Sequence, residues 1–186
     1  MLTATDPLPH RPRRVAVAGV SGSGKSTLSR RIAEILGVPY TEIDGLFHGP
    51  GWTERPEFEA DVEAFTSAPG WVTEWQYELA RPLLVERADL MVWLDPPYPM
   101  VLQRVVRRTL RRRLRRQQLW NGNQEPPLRT FFTDDEHIVR WSIRTRDLYD
   151  ERVPAVVSAR PDLPIVRLGS TREVDPWLRD VLQPLA

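Results

Sequence analysis

The chain has 186 residues, 41% hydrophobic and 27% charged, with a net charge of +1, which suits one α/β domain with a core of ordinary size and gives no global basic signal for a nucleic-acid binder. No apolar run approaches the ~20 residues needed to span a bilayer, and no apolar signal-peptide core stands at the N-terminus, so a cytoplasmic protein without a membrane partner is expected. Cysteine is absent, which excludes disulfides, thiolate metal sites and a cysteine nucleophile.

In chain order, residues 1–13 are rich in Pro and polar residues and read as a flexible leader. Residues 14–186 read as a single domain. Val15–Ala18 is a strand, and Lys25–Leu36 a helix ended by Gly37. Pro39–Ile43 is a second strand. Pro56–Ser67 is a helix that opens with Pro and acidic residues, as first turns do. Trp71–Thr73 is a third strand and Leu79–Arg87 a short helix. Leu90–Leu94 is apolar throughout, as in a strand covered on both faces. A long helix runs from about Met100 to Arg116 with the apolar stripe Leu102, Val106, Leu110 and Leu114. A polar loop, 117–132, precedes a helix from about Asp134 to Glu151. Ile165–Leu168 is the last strand, and a terminal helix starts at about Glu173. Strands alternating with helices indicate right-handed βαβ units and a parallel sheet.

Gly19-Val20-Ser21-Gly22-Ser23-Gly24-Lys25-Ser26-Thr27 matches G-x-x-x-x-G-K-[ST] in full, between an apolar strand and an amphipathic helix. Glycines let backbone N–H groups converge on phosphate oxygens, and the helix N-terminus adds its dipole and free donors. This phosphate-binding loop, the Walker A P-loop, predicts ATP or a close relative as ligand, held by Gly19, Ser21, Gly22, Ser23, Gly24, Lys25, Ser26 and Thr27. Lys25 reaches the β- and γ-phosphates, and the Ser26 hydroxyl is expected to ligand Mg²⁺. Of the 26 basic residues Lys25 is the only lysine. A GC-rich coding sequence accounts for the arginine excess, while a lysine kept at this one site suits a place that needs a compact ammonium.

Ligands of doubly wound sheets bind beyond the carboxyl ends of the strands, where three acids fall. Asp95 ends the apolar run Met91–Leu94 in the manner of a Walker B acid and is a candidate Mg²⁺ ligand, direct or through water; a turn residue before Pro96-Pro97 is the alternative. Asp44 could orient or deprotonate an attacking hydroxyl, or cap a helix. Glu74 stands between a substrate role and a structural one. Phe47, Trp52, Trp71, Trp75 and Tyr77 cluster around strands two and three, either as core and rim or as a surface that stacks on a ring.

Eight arginines fall between 104 and 116, and Arg104, Arg108, Arg111 and Arg115 share a helical face opposite the leucine stripe. Three readings stand: a solvated face, a nucleic-acid patch, and a lid helix whose arginines close over the transferring phosphates, Arg104 and Arg108 as catalytic groups. Arg140, Arg144 and Arg146 would complete that clamp, with the loop around Asn121-Gly122-Asn123 as the moving part.

Taken together, Gly19–Thr27, Ile43–Phe47 with Pro50-Gly51-Trp52, Trp71–Tyr77, Arg87-Ala88-Asp89, Leu94-Asp95 and Trp120–Glu125 resemble the adenylate-kinase-related P-loop proteins of bacteria labelled DNA topology modulation proteins. The similarity runs from about Arg14 to Arg152. The resemblance implies an α/β three-layer sandwich with a five-stranded parallel sheet of order 2-3-1-4-5, an Arg-rich lid at about 104–146, and ATP and Mg²⁺ as cofactors. It also implies an acceptor site at about 44–80, filled by a nucleoside or nucleotide. One departure stands out: relatives carry Trp-x-x-Asp-Gly-Asn-Tyr on strand three, and this chain has Trp71-Val72-Thr73-Glu74-Trp75-Gln76-Tyr77, so Trp75 is expected to fill acceptor space. The function expected is an ATP-dependent phosphotransferase with Lys25 and Asp44 as catalytic groups. The alternative is a nucleotide-binding regulator that contacts DNA or a protein.

Overall fold

Successive residues along the buried strands face opposite sides of a single sheet, so the molecule has two cores, one on either face. A computed structural model describes residues 1–126, 130 and 138–186. The strands β1 (Arg14–Ala18), β2 (Tyr40–Thr41), β3 (Trp71–Glu74), β4 (Leu90–Leu94) and β5 (Ile165–Leu168) are all parallel and lie in the order β2-β3-β1-β4-β5. This is the expected P-loop order. Because successive strand residues point to opposite faces, Val15, Val17, Val92 and Val166 meet α1 (Lys25–Leu36) and the C-terminal helical segment on one side. Ala16, Ala18, Met91 and Ile165 meet α3 (Phe58–Thr66), α4 (Arg81–Arg87) and α7 (Leu148–Ala159) on the other.

Helix α1 has the predicted bounds, and Gly37, at φ 67°, closes it by donating its N–H to the Ala33 carbonyl. The second strand is shorter than expected. Its last residue, Ile43, instead begins the short helix α2 (Ile43–Phe47), whose first N–H is accepted by the buried Glu74 carboxylate at 3.4 Å.

Helix α5 (Tyr98–Leu114) presents a different stripe from the predicted one. Val101, Val105 and Thr109 are buried, while Leu110 and Leu114 are exposed, Leu114 at 79%. The phase is set by what the helix lies on: it packs against Gly22 through Val101 and Val105. The expected helix from Asp134 to Glu151 is two helices where it is described, α6 (Ile138–Arg144) and α7, separated by a turn at residues 145–147; residues 134–137 lie outside the described residues. Thr145 closes α6 by donating both its N–H and its hydroxyl to the Trp141 carbonyl. Helix α8 (Thr171–Pro176) runs on into wider helical turns that bury Trp177, Leu178 and Leu182.

Residues 1–13 are tied down rather than loose. Leu2 pairs beside β5, donating to the Ile165 carbonyl at 2.7 Å and accepting from the Arg167 N–H at 2.9 Å. Leu2, Ala4 and Leu8 pack on the core, and the Asp89 carboxylate accepts the backbone N–H groups of Arg13 and Arg14. The segment covers an otherwise open sheet edge. Among the described residues no helix is long and apolar enough to cross a membrane.

Candidate active site

The loop between β1 and α1 is held open by what surrounds its glycines. A Cβ on Gly19, at φ 145°, would lie 2.6 Å from the Leu94 carbonyl oxygen and 2.8 Å from Ser23 Oγ. At Gly22, φ 87°, it would run into Val105 Cγ2 and come within 3.2 Å of the Val101 carbonyl oxygen. The loop therefore exists only as glycine at these two points. Within it the Ser23 hydroxyl is buried with no partner among the described residues, and Lys25 Nζ donates to the Val20 carbonyl at 3.2 Å. Burial pushes the Lys25 ammonium below its ordinary value, opposed by the charges of Asp44 and Glu74 and reinforced by Arg108. Ser26 is half-buried and Thr27 exposed at the start of α1.

Two of the predicted lid arginines reach this loop. Arg104 Nη1 donates to the Ser23 carbonyl and Arg108 Nη2 to Ser21 Oγ, each at 3.2 Å. Arg108 Nε is buried and unpartnered, and burial together with the neighbouring Arg112 charge lowers its affinity for its proton, against Glu125 and Asp44. Arg111 and Arg115, placed on the same face by the sequence, are exposed instead. Arg112 takes the inner position and pairs with the buried Glu125 at 3.1 Å. Arg146 is ion-paired with Asp147 in solvent and Arg144 lies over the Trp141 ring at 5.0 Å; Arg140 also has interactions of its own.

Opposite the loop, α2 presents Asp44. Its Oδ1 accepts from Gln76 Nε2 and, at 2.5 Å, from the Tyr77 hydroxyl. The same hydroxyl lies 3.1 Å from His48 Nε2. With its proton given to Asp44, Tyr77 must accept from His48, which fixes the ring as the Nε2–H tautomer. Burial raises the Tyr77 hydroxyl far above its ordinary value and Asp44 raises it further, so it stays a donor. Burial lowers His48, opposed by Asp44. Tyr77 is stacked on Phe47 with ring centroids 3.9 Å apart, and both Tyr77 and Trp52 hold positive φ, 62° and 63°, a conformation rare for aromatic residues.

The other predicted residues fall in distinct places. Glu74, only 2% exposed, is taken up by the Tyr40 hydroxyl at 2.6 Å and the Ile43 N–H; it positions α2. Asp95 Oδ2 accepts both Arg167 Nε, at 2.9 Å, and Nη2, at 2.5 Å, so the strand-end acid is engaged by its β5 neighbour. Trp75, expected to fill acceptor space, packs inward from the end of β3. It is buried in the core against Tyr149, and its indole N–H donates to the Arg81 carbonyl.

The loop expected to move is fastened to residues 45–52. Asn121 donates to the His48 carbonyl at 2.5 Å, and the buried Asn123 accepts the Trp52 N–H at 3.1 Å and donates to the Gly49 carbonyl at 2.8 Å. Trp120 stacks on His48 at 5.9 Å, in space that Gly45 leaves free. Sequence reasoning missed His48, and it named Gln76 and Asn123 only within a motif and a loop, without the contacts they make to Asp44 and to residues 49–52. The only signal for them was position, since each sits beside a residue already singled out.

No family model matches the chain. The cytidylate kinase of Pyrococcus furiosus is 31% identical over 109 residues, 50% of this chain and 56% of that protein. The shikimate kinase of Synechococcus elongatus is 30% identical over 105 residues, 48% of this chain and 55% of that protein. The chain thus spans about half the length of the curated relatives it matches. Among solved structures, the shikimate kinase of Acinetobacter baumannii in complex with shikimate superposes with a TM-score of 0.54 at 19% identity, covering 90% of this chain and 89% of that one. The chain has the P-loop kinase fold. A gluconokinase from Sinorhizobium meliloti agrees, with a TM-score of 0.52 at 20% identity over 91% of this chain and 94% of that one. In sequence this P-loop protein is distantly similar to nucleotide and small-molecule kinases.

Proposed function

We propose that the chain is an ATP- and Mg²⁺-dependent phosphotransferase that moves the γ-phosphoryl group to a small hydroxyl or phosphate acceptor, a nucleoside or nucleotide in the first instance. The observation that carries the reading is an Asp44 carboxylate held by Gln76 and Tyr77, together with a glycine cradle touched by Arg104 and Arg108; the Asp44 charge also favours the Lys25 ammonium.

Gly19 to Thr27 hold the triphosphate, and the unpartnered Ser23 hydroxyl and Arg108 Nε are donors in want of an anion. Ser26, with Asp95 through the Oδ1 that Arg167 leaves free, would hold Mg²⁺. When bound, that ion neutralises phosphate charge. Asp44 accepts the proton of the acceptor hydroxyl. The hydroxyl oxygen forms the new P–O bond, the bond from the γ-phosphorus to the bridging oxygen breaks, and ADP leaves with the electron pair. Lys25, Arg104 and Arg108 offset the charge on the moving group, so catalysis is positioning and electrostatics. The narrower resemblance to the topology modulation group supports the same cradle and adds no reaction of its own.

A second reading, a nucleotide-binding regulator that contacts DNA, draws support from the exposed Arg107 and Arg111 on α5 and the exposed Arg115 and Arg116 just after it. DNA affinity falling steeply with salt would favour it.

The test is ADP release from Mg-ATP with and without a panel of nucleosides, nucleoside monophosphates and small hydroxyl metabolites. Acceptor-dependent release is expected, abolished in Lys25→Ala and reduced about 10²–10⁴-fold in Asp44→Asn, the usual scale of general-base catalysis. Undiminished turnover in Lys25→Ala would sink the mechanism.

A further inference from the structure

An open groove of about 490 Å³ runs between α3 and α4. Its floor is apolar, formed by the buried Phe58, Val62 and Ala80, and Leu79 and Pro82 carry apolar surface out to the rim. Three acids edge it: Glu59, Glu63 and Glu86. Glu63 is paired with Arg87, while the exposed Glu59 and Glu86 make no ion pair among the described residues. The groove is apolar within and negative at its margin.

No residue of α5 lines this groove, yet α5 carries its counterpart. The inner face of that helix is taken up by Gly22 and the cradle. The opposite face sets Leu110 and Leu114, four residues apart, beside Arg107 and Arg111, spaced in the same way. Leu110 is 39% exposed and Leu114 79%. Arg107 and Arg111 are exposed and make no ion pair among the described residues, whereas Arg55, Arg87, Arg112, Arg160 and Arg167 each find a carboxylate. A single exposed leucine needs no explanation. Here two leucines and two unpaired cations share one helix face, and the groove offers an apolar floor and two unpaired acids. Helices with anchors at this spacing are what such grooves accept.

We propose that the groove between α3 and α4 receives the outer face of α5 from a second copy of this chain, with Leu110 and Leu114 over Phe58 and Val62 and with Arg107 and Arg111 against Glu59 and Glu86. The inference does not rest on the phosphotransferase reading. Burial of the leucines supplies affinity, and the opposite charges set register and speed the encounter. The two surfaces differ, so the contact is head-to-tail and propagates unless a rotation closes it into a ring or a two-fold axis pairs both surfaces at once. Docking leaves Arg104 and Arg108 on Ser23 and Ser21, because they leave α5 on its other side.

The experiment is sedimentation velocity on the full chain over a concentration series reaching the submillimolar range, at about 0.05 M and about 0.5 M salt. The wild-type protein is expected to exceed the mass of one chain as concentration rises, and to associate less at the higher salt. Glu59→Lys/Glu86→Lys, Arg107→Glu/Arg111→Glu and Leu114→Asn should each weaken association tenfold or more. All the substituted side chains are exposed, and unfolding midpoints confirm that each variant is folded. Mixing the two charge-reversed proteins in equal amounts decides the pairing, because each groove then meets a helix of opposite charge. Association should return to within about threefold of the wild-type strength. A wild-type protein that stays a single chain throughout overturns the proposal. Association that survives either reversal, or a mixture that stays dissociated, overturns it as well, since the copies then meet elsewhere. A wild-type protein that stays single, with a DNA affinity that Arg107→Glu/Arg111→Glu removes, gives the arginine face to the regulator reading and leaves the groove without this occupant.

Discussion

Replacing Gly22 by alanine tests whether the cradle is shaped by the helix beneath it. Two costs add at this position. The left-handed backbone, φ 87°, costs an alanine about 1–2 kcal/mol. The new Cβ also meets Val105 Cγ2 and sits 3.2 Å from the Val101 carbonyl, on backbone that cannot swing away; overpacking of this kind costs about 1–3 kcal/mol. The total, roughly 2–5 kcal/mol, corresponds to a fall in unfolding midpoint of the order of 10 °C at about 2–4 °C per kcal/mol for a chain of this size. Gly37→Ala is the control, because Gly37 has a similar left-handed φ of 67° but nothing within 4 Å of the added Cβ. It should lose only the backbone part. The assay is thermal unfolding followed by circular dichroism, with binding of a fluorescent ATP analogue alongside. Gly22→Ala should lose nucleotide affinity together with stability, since relief of the clash lifts α5 and with it Arg104 and Arg108. Equal midpoints for the two variants would refute the argument that α5 packs on the loop and shapes it.

Two further outcomes follow from the acceptor side. Asn123→Ala strands the Trp52 N–H and the Gly49 carbonyl, a loss of about 1–3 kcal/mol; the acceptor KM should rise while the KM for ATP is unchanged, and an equal rise in both would place Asn123 in general stability only. His48 is held below its ordinary value near 6.5 by burial. The unfolded chain therefore binds the extra proton first, so the contribution of the neutral ring is whole above about pH 6.5 and is lost as pH falls below it. The midpoint gap between wild type and His48→Asn should narrow from pH 7.5 to 5.5; a constant gap would show that His48 does not titrate with unfolding.

The cradle was legible because its chemistry needs neighbours in sequence: a strand ending at Ala18, a glycine turn, and a helix beginning at Lys25. The strand pattern was legible for the same reason, since β1 and β4 are short apolar runs buried on both faces. What escaped was everything decided across distance. The α5 helix carries two apolar rows one residue apart, Leu102-Val106-Leu110-Leu114 and Val101-Val105-Thr109, and the leucines looked stronger. The buried row is the one that ends in a threonine, because β-branched valines fit against Gly22, some eighty residues earlier. That one-residue rotation brings Arg104, Arg108 and Arg112 inward and turns Arg111 and Arg115 to solvent. Asp95 looks like a free strand-end acid until the register sets Trp93 opposite Arg167 and brings its guanidinium within reach. Glu74, equally well placed by sequence, is spent on Tyr40 and Ile43.

The 120–125 loop joins these pieces mechanically. On one side Asn121, Asn123 and Trp120 grip residues 45–52, the segment that carries His48 beside Tyr77 and Asp44. On the other, the buried Glu125 holds Arg112 through its carboxylate and Arg113 through its carbonyl, one turn along α5 from Arg108. A ligand that shifts the 45–52 segment must pull on Glu125 or break these bonds, and either event is felt at the arginines that touch Ser21 and Ser23. The proposed acceptor side and the phosphate-binding loop are thus linked through packed, hydrogen-bonded groups with few alternatives, the kind of connection that can carry coupling between sites. In the proposed reaction such a link would give phosphate contacts a reason to tighten only when the acceptor is in place, and so would limit transfer to water.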